Sequence, residues 1–304
     1  VKAFLLAAGF GERLRPLTDH IPKPLMPVMN VPAICYAVTL IKEAGITEVV
    51  CNLHHLHQQI IDFFREHDNF GLRIAFSLEE KILGTGGGLA NCRSLFQDGP
   101  FVYINSDIIA DIDLRAVIGS FDASRFGGSM VVNHSARSEG RVTVDSDRIV
   151  NLRTLLPVRS KPEYDFLGAA VLTPGIFRHL KAGFSDIVET GFIELVKNGA
   201  LGYCRYEGEW HDIGTPALFH KANLSLLDMG DGFRNRIRAA TGLSPVAISR
   251  SASVGTSAVI IRSVIGDNCR VGDGAVAEDS VLLPGAELAP GESAYRKIAM
   301  PRRE

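Results

Sequence analysis

The residues best suited to chemistry stand near the N-terminus: Gly9-Phe10-Gly11-Glu12-Arg13-Leu14-Arg15-Pro16, then Pro22-Lys23-Pro24-Leu25. Two glycines let a backbone turn sharply and come close to a ligand. Arg13, Arg15 and Lys23 follow, so a polyphosphate would meet backbone N–H groups first and fixed cations second. That order suits a nucleoside triphosphate. The bland alternative is a tight turn with solvated arginines. Two better-known glycine loops are excluded. A dinucleotide fingerprint needs a small residue three places after the second glycine, and Leu14 stands there. A Walker A loop needs Gly-Lys-Ser/Thr after four intervening residues, and no such run exists.

Two carboxylates are the next candidates. Asp107 closes the apolar run Phe101-Val-Tyr-Ile-Asn105-Ser106, and Asp212 sits between Trp210 and a Gly-Thr-Pro turn. Alone, each fits a helix cap or a turn residue. Beside a glycine-arginine phosphate loop they make a Mg²⁺ pair, because Mg²⁺ takes one or two carboxylates, waters and substrate phosphate oxygens. Leu83-Gly84-Thr85-Gly86-Gly87-Gly88 is a second glycine loop, read as running into a helix from Leu89. It is either a flexible loop or a place where a flat nucleobase lies against bare backbone, with Glu79 or Glu80 accepting from base N–H groups. His54-His55-Leu56-His57 has metal-like residue types but no Cys or carboxylate nearby to complete a ligand set. No histidine clusters with a Ser or Cys, so a nucleophilic triad is unsupported.

The elements that must position these groups are legible from periodicity. Lys2–Ala8 reads as a buried parallel strand. Pro32 to Ala44 has helical spacing and stops at Gly45. Glu48–Leu53, Arg73–Ser77 and Phe101–Ser106 read as further strands, with a helix at Gln58–His67 turning Ile60, Ile61, Phe63 and Phe64 inward. Strands alternating with helices predict a doubly wound, mainly parallel sheet. Ligands of such sheets bind outside the carboxyl ends of the strands. The glycine loop, Glu79-Glu80 and Asn105-Ser106-Asp107 each follow a strand and should converge there. Strands from Gly128 to Tyr206 look more mixed, and Pro216 opens a helix to about Leu227.

Gly230 to Pro245 shows no clear period and reads as a linker. Beyond it, Ile265-Gly-Asp-Asn-Cys-Arg and Val271-Gly-Asp-Gly-Ala-Val are adjacent hexads, with Val254 and Leu283 approximately in phase. Ile265 and Leu283 are about three hexads apart, the span of one triangular coil of a parallel β-helix. Two to three coils fit before Pro290; a Gly/Ser-rich loop is the alternative.

Composition bounds the rest. The 304 residues suffice for one large domain and a smaller one. A net charge of −2 implies no bulk attraction to nucleic acid or to anionic membranes. Five scattered cysteines without a CxxC pair point to reduced thiols. No apolar run reaches the roughly 18 residues of a spanning helix, and the N-terminal run lacks signal-peptide features. A cytoplasmic protein is expected.

Together, the Gly9–Thr18 run, Pro22–Leu25, Leu83–Gly88, Asn105-Ser106-Asp107 and Trp210-His-Asp212-Ile-Gly-Thr-Pro216 resemble the sugar-1-phosphate nucleotidylyltransferases over about residues 2–227. The similarity looks greatest to mannose-1-phosphate guanylyltransferases and N-acetylmuramate 1-phosphate uridylyltransferases. The resemblance implies the nucleotidyltransferase fold: α/β, with a Rossmann-like doubly wound mixed sheet and a short C-terminal left-handed parallel β-helix. Its domains would be 1–229, a linker at 230–247, and 248–304. It further implies Mg²⁺-dependent transfer of a nucleoside monophosphate from GTP or UTP to a sugar 1-phosphate, releasing pyrophosphate.

In that resemblance Arg13, Lys23 and Asp107 are catalytic, and Asp107 and Asp212 hold the metal. Ala8, Gly9, Gly11, Glu12, Arg13, Lys23, Glu80, Gly84, Thr85 and Asn105 line the nucleotide. Gly140, Gly168 and Trp210 line the sugar. Two departures stand out: Ser160-Lys161-Pro162 where many members carry Glu-Lys-Pro, and Thr-Gly-Gly where many carry Thr-Ala-Gly. They leave the sugar's hydroxyl contacts and the base open. The repeats could mediate homo-oligomer formation. A non-catalytic sensing subunit is the rival reading, and retention of Arg13, Lys23, Asp107 and Asp212 argues against it. A dinucleotide oxidoreductase is more distant, because its loop lacks the third small residue. In-line attack by a phosphate oxygen needs no protein nucleophile, only alignment and charge neutralisation. Asp107→Asn and Lys23→Ala should each lower turnover by roughly two or more orders of magnitude, read as pyrophosphate release; near-normal rates in both would refute the assignment.

Overall fold

The apolar run after Lys2 is a buried strand, β1 (Ala3–Leu6), whose Ala3, Phe4 and Leu5 are wholly inside. The structure, a computed structural model, describes residues 1–135, 140–158 and 160–302; the end of the expected C-terminal tail, 303–304, lies outside the described residues. The chain forms two compact units. The first holds 1–10 and 40–210, and the second holds 11–39 and 211–304. Helix α1 (Ile34–Glu43) carries the chain from one to the other.

In the first unit β1 lies between β2 (Glu48–Leu53) and β4 (Phe101–Asn105), and β3 (Arg73–Leu78) extends the sheet beyond β2. These four strands are parallel. They are joined through α2 (His57–Glu66) and α3 (Gly84–Asn91). Beyond β4 the direction mixes. The remaining strands are β5 (Gly128–His134), β6 (Val142–Asp145), β7 (Arg148–Leu152), β8 (Tyr164–Leu172) and β9 (Leu201–Arg205). The nine-stranded order is β3-β2-β1-β4-β8-β5-β9-β7-β6. Strand β8 runs antiparallel to β4 and β5, while β9 is parallel to β5. The sheet is therefore mixed, and the mainly parallel reading holds only for its β1–β4 half.

Aromatic rings fill the core beside β1. Phe4 meets Tyr103 at 5.9 Å and Phe96 at 6.1 Å, and Phe96 meets Phe101 at 4.5 Å. In α2 only Ile60 and Phe64, one turn apart, are buried. Ile61 and Phe63 stay half-buried, and Phe63 packs instead on His67 and Phe70. The second glycine run also differs from expectation. Helix α3 starts at Gly84 rather than Leu89, so the glycines are helical. Helices α4 (Leu114–Ser120) and α5 (Ile193–Lys197) complete the unit.

In the second unit a hairpin pairs Pro27–Val28 with Val31–Pro32. Thr215 caps α6 (Pro216–Ser225) by accepting from Leu218 N, with Pro216 at its first turn. The stretch expected as an irregular linker contains an 11-residue helix, α7 (Asp231–Thr241), which ends at Gly242 with φ +77°. Next come three three-stranded parallel sheets. Val254 pairs with Val271 and Val271 with Leu288; Ile265 pairs with Leu282 and Leu282 with Ala299. The repeat is therefore one residue shorter than three hexads. Left-handed residues explain the shortening. They recur at Arg262, Asn268 and Gly274, then at Asp279, Gly285 and Gly291, then at Arg296. Successive corners are thus six, six and five residues apart. Ile265, Cys269, Val271, Ala277, Leu282 and Leu288 stack inside.

Among the described residues no helix is long and apolar enough to cross a membrane. All five cysteines are free, and burial pushes the Cys35 and Cys51 thiols well up. A Cβ on Gly87 would collide with the Gly183 carbonyl oxygen, whereas one on Gly119 in α4 would meet nothing. Gly87→Ala should therefore lower unfolding stability by about 1–3 kcal/mol. Gly119→Ala should raise it by about 0.5–1 kcal/mol. Denaturant titration of both variants checks the contrast.

Candidate active site

In the first unit the carboxyl ends of β1, β2 and β3 are joined by one buried relay. Ala7 N donates to Asn52 Oδ1 at 3.0 Å, and Asn52 Nδ2 donates to Glu79 Oε1 at 2.8 Å. Leu83 N donates to Glu79 Oε2 at 2.7 Å. Asn52 is 1% exposed and Glu79 3%. The Glu79 carbonyl oxygen lies 2.7 Å from His54 Nδ1, and the His54 ring meets Phe10 edge-on at 5.0 Å. The relay thus fixes the start of the phosphate loop, where Ala8 is buried and Gly9 exposed. It also fixes the residue before Gly84. Each Glu79 oxygen already accepts a hydrogen bond within the protein, whereas Glu80 is exposed. His54 and His57 serve as local props: His57 Nδ1 lies 3.2 Å from the His54 carbonyl oxygen. Among the described residues no three His, Cys, Asp or Glu form a metal-sized cluster.

The glycines of α3 accommodate protein rather than open space. Gly86 N donates to Ser185 O at 2.8 Å, Ser185 N donates to Leu83 O at 2.9 Å, and Ile187 N donates to Thr85 Oγ1 at 2.9 Å. A Cβ at Gly84 would come within 2.6 Å of Ser185 O. A Cβ at Gly88 would come within 2.5 Å of Glu79 Oε1. Backbone 183–187 therefore packs on the side of α3 that a Cβ at Gly84, Gly86 or Gly87 would fill.

At the end of β4, Asn105 fits against Gly168. Gly168 has φ +89°, and a Cβ there would stand 2.6 Å from Asn105 Nδ2. The pairing of β8 with β5 shifts register around it, between Phe166 and Ala170. Asn105 Oδ1 is buried with no hydrogen-bond partner among the described residues. Asp107 is half-buried beyond it. Burial above all, then the negative charges of Asp186 and Asp107, pushes the Tyr103 hydroxyl up. Gly140 N donates to Pro162 O at 2.9 Å, and a Cβ on Gly140 would press on the Tyr164 backbone. Half-buried Trp210 ends the unit, after a segment that Asn133 Nδ2 holds through Tyr206 O at 2.6 Å.

In the second unit Gly11, with φ +66°, starts a 3₁₀ turn over Glu12–Leu14. Leu14 is wholly buried and anchors it, leaving Glu12 and Arg13 exposed. Thr18 Oγ1 donates to Gly11 O at 2.9 Å, and a Cβ on Gly11 would lie 3.3 Å from Lys23 Cβ. Lys23 is half-buried between its two prolines. Arg15, read as a third phosphate cation, pairs with Asp19 at 3.4 Å. Asp212 Oδ1 accepts from Gly214 N at 2.7 Å. A Cβ on Gly214 would stand 2.9 Å from Asp212 Oδ1 and 3.1 Å from Arg13 Nη2. The fold therefore brings Arg13 and Asp212 to one glycine. Asp107 belongs to the other unit. Sequence reasoning missed Asn52 and Gly214; an amide closing an apolar strand, as Asn105 also does, was the available signal for Asn52.

Within the second unit the Gly11 turn holds Arg13 and Lys23, with Asp212 at Gly214, the residue types that suit a phosphate-handling α/β enzyme. The family model described as Nucleotidyl transferase matches residues 2–229, and the chain belongs to that family. The chain is 26% identical to a UTP–glucose-1-phosphate uridylyltransferase of Synechocystis, covering 99% of this chain and 88% of that one. It is 30% identical to "Probable mannose-1-phosphate guanylyltransferase 1" of Oryza sativa subsp. japonica, covering 96% and 82%. It is 33% identical to the N-acetylmuramate alpha-1-phosphate uridylyltransferase of Neisseria meningitidis, covering 73% and 96%. A Bacillus anthracis protein crystallised with sucrose shares the fold, with a TM-score of 0.66 at 24% identity over 75% of this chain and 96% of that one. Gly214→Ala should displace Asp212 and Arg13 together and reduce nucleotidyl transfer by at least about tenfold, with the unfolding midpoint little changed; unaltered turnover would show that neither side chain moved or that neither matters.

Proposed function

We propose that the chain transfers a nucleoside monophosphate from GTP to mannose 1-phosphate, giving GDP-mannose and pyrophosphate. The observation that carries the reading is the meeting of Arg13 and Asp212 at Gly214, with Lys23 beside Gly11, in a chain belonging to the nucleotidyl transferase family. Likeness to the rice guanylyltransferase over 96% of the chain, the repeat region included, supports this substrate pair. The uridylyl alternative, on N-acetylmuramate or glucose 1-phosphate, is favoured by the 33% identity to the Neisseria enzyme.

The chemistry follows from charge. Both reactants are anions, and the attacking phosphate oxygen is already nucleophilic. Exposed Arg13 would bind the β- and γ-phosphates and draw charge away as the pyrophosphate leaves. Lys23, restrained on both sides by proline, would sit between the α-phosphate and the sugar phosphate and lessen their repulsion. Ala8, Gly9, Gly11 and Glu12 would line the triphosphate, and Glu80, Gly84, Thr85 and Asn105 the nucleoside. Gly140, Gly168 and Trp210 would border the sugar. The unpartnered Asn105 Oδ1 supports a hydroxyl donor from the ligand there. The carboxylates fit a divalent cation: Gly214 N engages only Oδ1 of Asp212, and a hard cation needs few protein oxygens. Mg²⁺ held by Asp107 and Asp212 would supply Lewis-acid stabilisation of the phosphoryl oxygens. The same reading makes the three parallel sheets a left-handed β-helix and places the enzyme in the cytoplasm.

Incubating the protein and Mg²⁺ with each NTP against mannose, glucose, N-acetylmuramate and heptose 1-phosphates should release pyrophosphate fastest with GTP and mannose 1-phosphate. A faster UTP reaction would select the uridylyl alternative, and no release with any pair would refute transfer.

A further inference from the structure

The compact unit that contains the Gly11–Leu14 turn and Lys23 also contains the C-terminal sheets, and the contacts between them are specific. The chain leaves Lys23 through a 3₁₀ turn, in which Leu25 N donates to Pro22 O at 2.8 Å and Met26 N to Lys23 O at 3.1 Å. It then enters the Pro27–Pro32 hairpin, closed onto that turn by Ala33 N donating to Met26 O at 3.0 Å. The two residues at the hairpin tip, Met29 and Asn30, both have positive φ, 51° and 63°. Four hydrogen bonds tie that tip to the C-terminal part of the chain. Met29 N donates to Asn223 Oδ1 at 2.8 Å, and Asn223 is a wholly buried residue of α6. Val246 N donates to Met29 O at 2.9 Å. Asn30 Nδ2 donates to the Val246 and Ile265 carbonyl oxygens, each at 3.0 Å. Ile265 is itself a strand residue of one of the three parallel sheets.

We propose that the C-terminal chain from α6 to the first repeat strands is a brace for the catalytic loop, in which Asn30 is a positioning residue that holds Lys23 in place through the Pro27–Pro32 hairpin. Several observations favour a brace over ordinary packing. A primary amide has two donor hydrogens, and Asn30 directs both at main-chain carbonyls on two separate C-terminal segments. Such bonds define where the tip must lie, as apolar contacts do not. Tyr36, wholly buried, donates to Val28 O at 3.0 Å and meets Phe233 of α7 at 6.1 Å, so the strand leading into the tip is held from the C-terminal side as well. Only Met26 stands between the Lys23–Leu25 turn and the hairpin, so a tip that slackens releases the turn. The role given to Lys23 rests on the proposed function; the brace itself is a statement about the loop's order and can be measured without it.

The test uses the full chain and two variants. Asn30→Gly keeps a residue at ease with positive φ and deletes both side-chain bonds. Asn30→Asp keeps the size and sets a carboxylate against two carbonyls, and it stands in should Asn30→Gly fail to fold. In hydrogen exchange, the amides of Leu25 and Met26 should open at least about tenfold more readily in either variant, with Phe4 in β1 unchanged. In pyrophosphate release, Asn30→Gly should lower kcat about tenfold in the wild-type background and less than about twofold in a Lys23→Ala background, because two residues acting through one group are not additive. Unchanged exchange at Leu25 and Met26, or the same factor of loss in both backgrounds, would overturn the proposal. If the wild type releases no pyrophosphate with any substrate pair, the proposed function falls and the exchange measurement still decides the brace.

Discussion

A carboxylate that is 3% exposed must have its charge met inside the protein, and Glu79 meets it with one side-chain amide and one backbone N–H. Much of the first unit's ligand-facing edge depends on that arrangement. Asn52 can satisfy Glu79 and Ala7 together only if the ends of β1, β2 and β3 stay in register. Leu83 can reach Glu79 only if α3 begins where it does. Leaving any one member unpaired would bury an unsatisfied polar group, at a cost of about 1–3 kcal/mol. The loop after β1 and the turn before α3 are therefore held by the same buried charge, although neither touches the other directly in the relay.

What was legible in the sequence followed from regular apolar spacing. The boundaries of β2 and the helices at α1 and α6 emerge within a residue or two, because β2 and α1 are apolar runs buried almost throughout and α6 opens on a proline with one buried stripe. Helix α7 was not legible, because its inward stripe is sparse. Ile237 and Thr241 are its buried residues, one turn apart, in a segment otherwise rich in arginine and glycine. The coil repeat was legible as a pattern of glycines and branched residues. Its length was not, because a left-handed corner can be made by Arg262, Asn268 or Asp279 as well as by glycine. A hexad rule reads side-chain type, while the fold counts corners.

The site divides along the same line. Gly11, Arg13 and Lys23 stand close in the chain, and their spacing alone points to a candidate phosphate loop. Arg13 and Asp212 stand far apart, and only the fold shows that Gly214 brings them together. The Gly84–Gly88 run shows what residue type alone can and cannot say. Glycine marks a place where something comes close to the backbone, without saying what. Here the close neighbours are the 183–187 backbone and the Glu79–Asn52 pair. Asn105 and Gly168 show the opposite case, since the space opened by Gly168 is taken by an amide whose oxygen has no donor among the described residues.

The hairpin after Lys23 shows why local sequence could not reveal its role. Two adjacent residues at positive φ cost on the order of 1–2 kcal/mol each, less for asparagine, which tolerates that region. Two-residue hairpin turns need this geometry, and Asn is among the residues that supply it, while Met is not. Each tip hydrogen bond returns about 0.5–1.5 kcal/mol, so the four made to Asn223, Val246 and Ile265 are of the same size as the strain they hold. The hairpin's geometry is therefore not a property of the segment that contains it. It belongs jointly to the tip and to the C-terminal chain, so a turn carrying a proline-flanked lysine is ordered by residues from α6 to Ile265. In isolation Met29-Asn30 is an unfavourable turn, and Asn223, Val246 and Ile265 are what support its conformation.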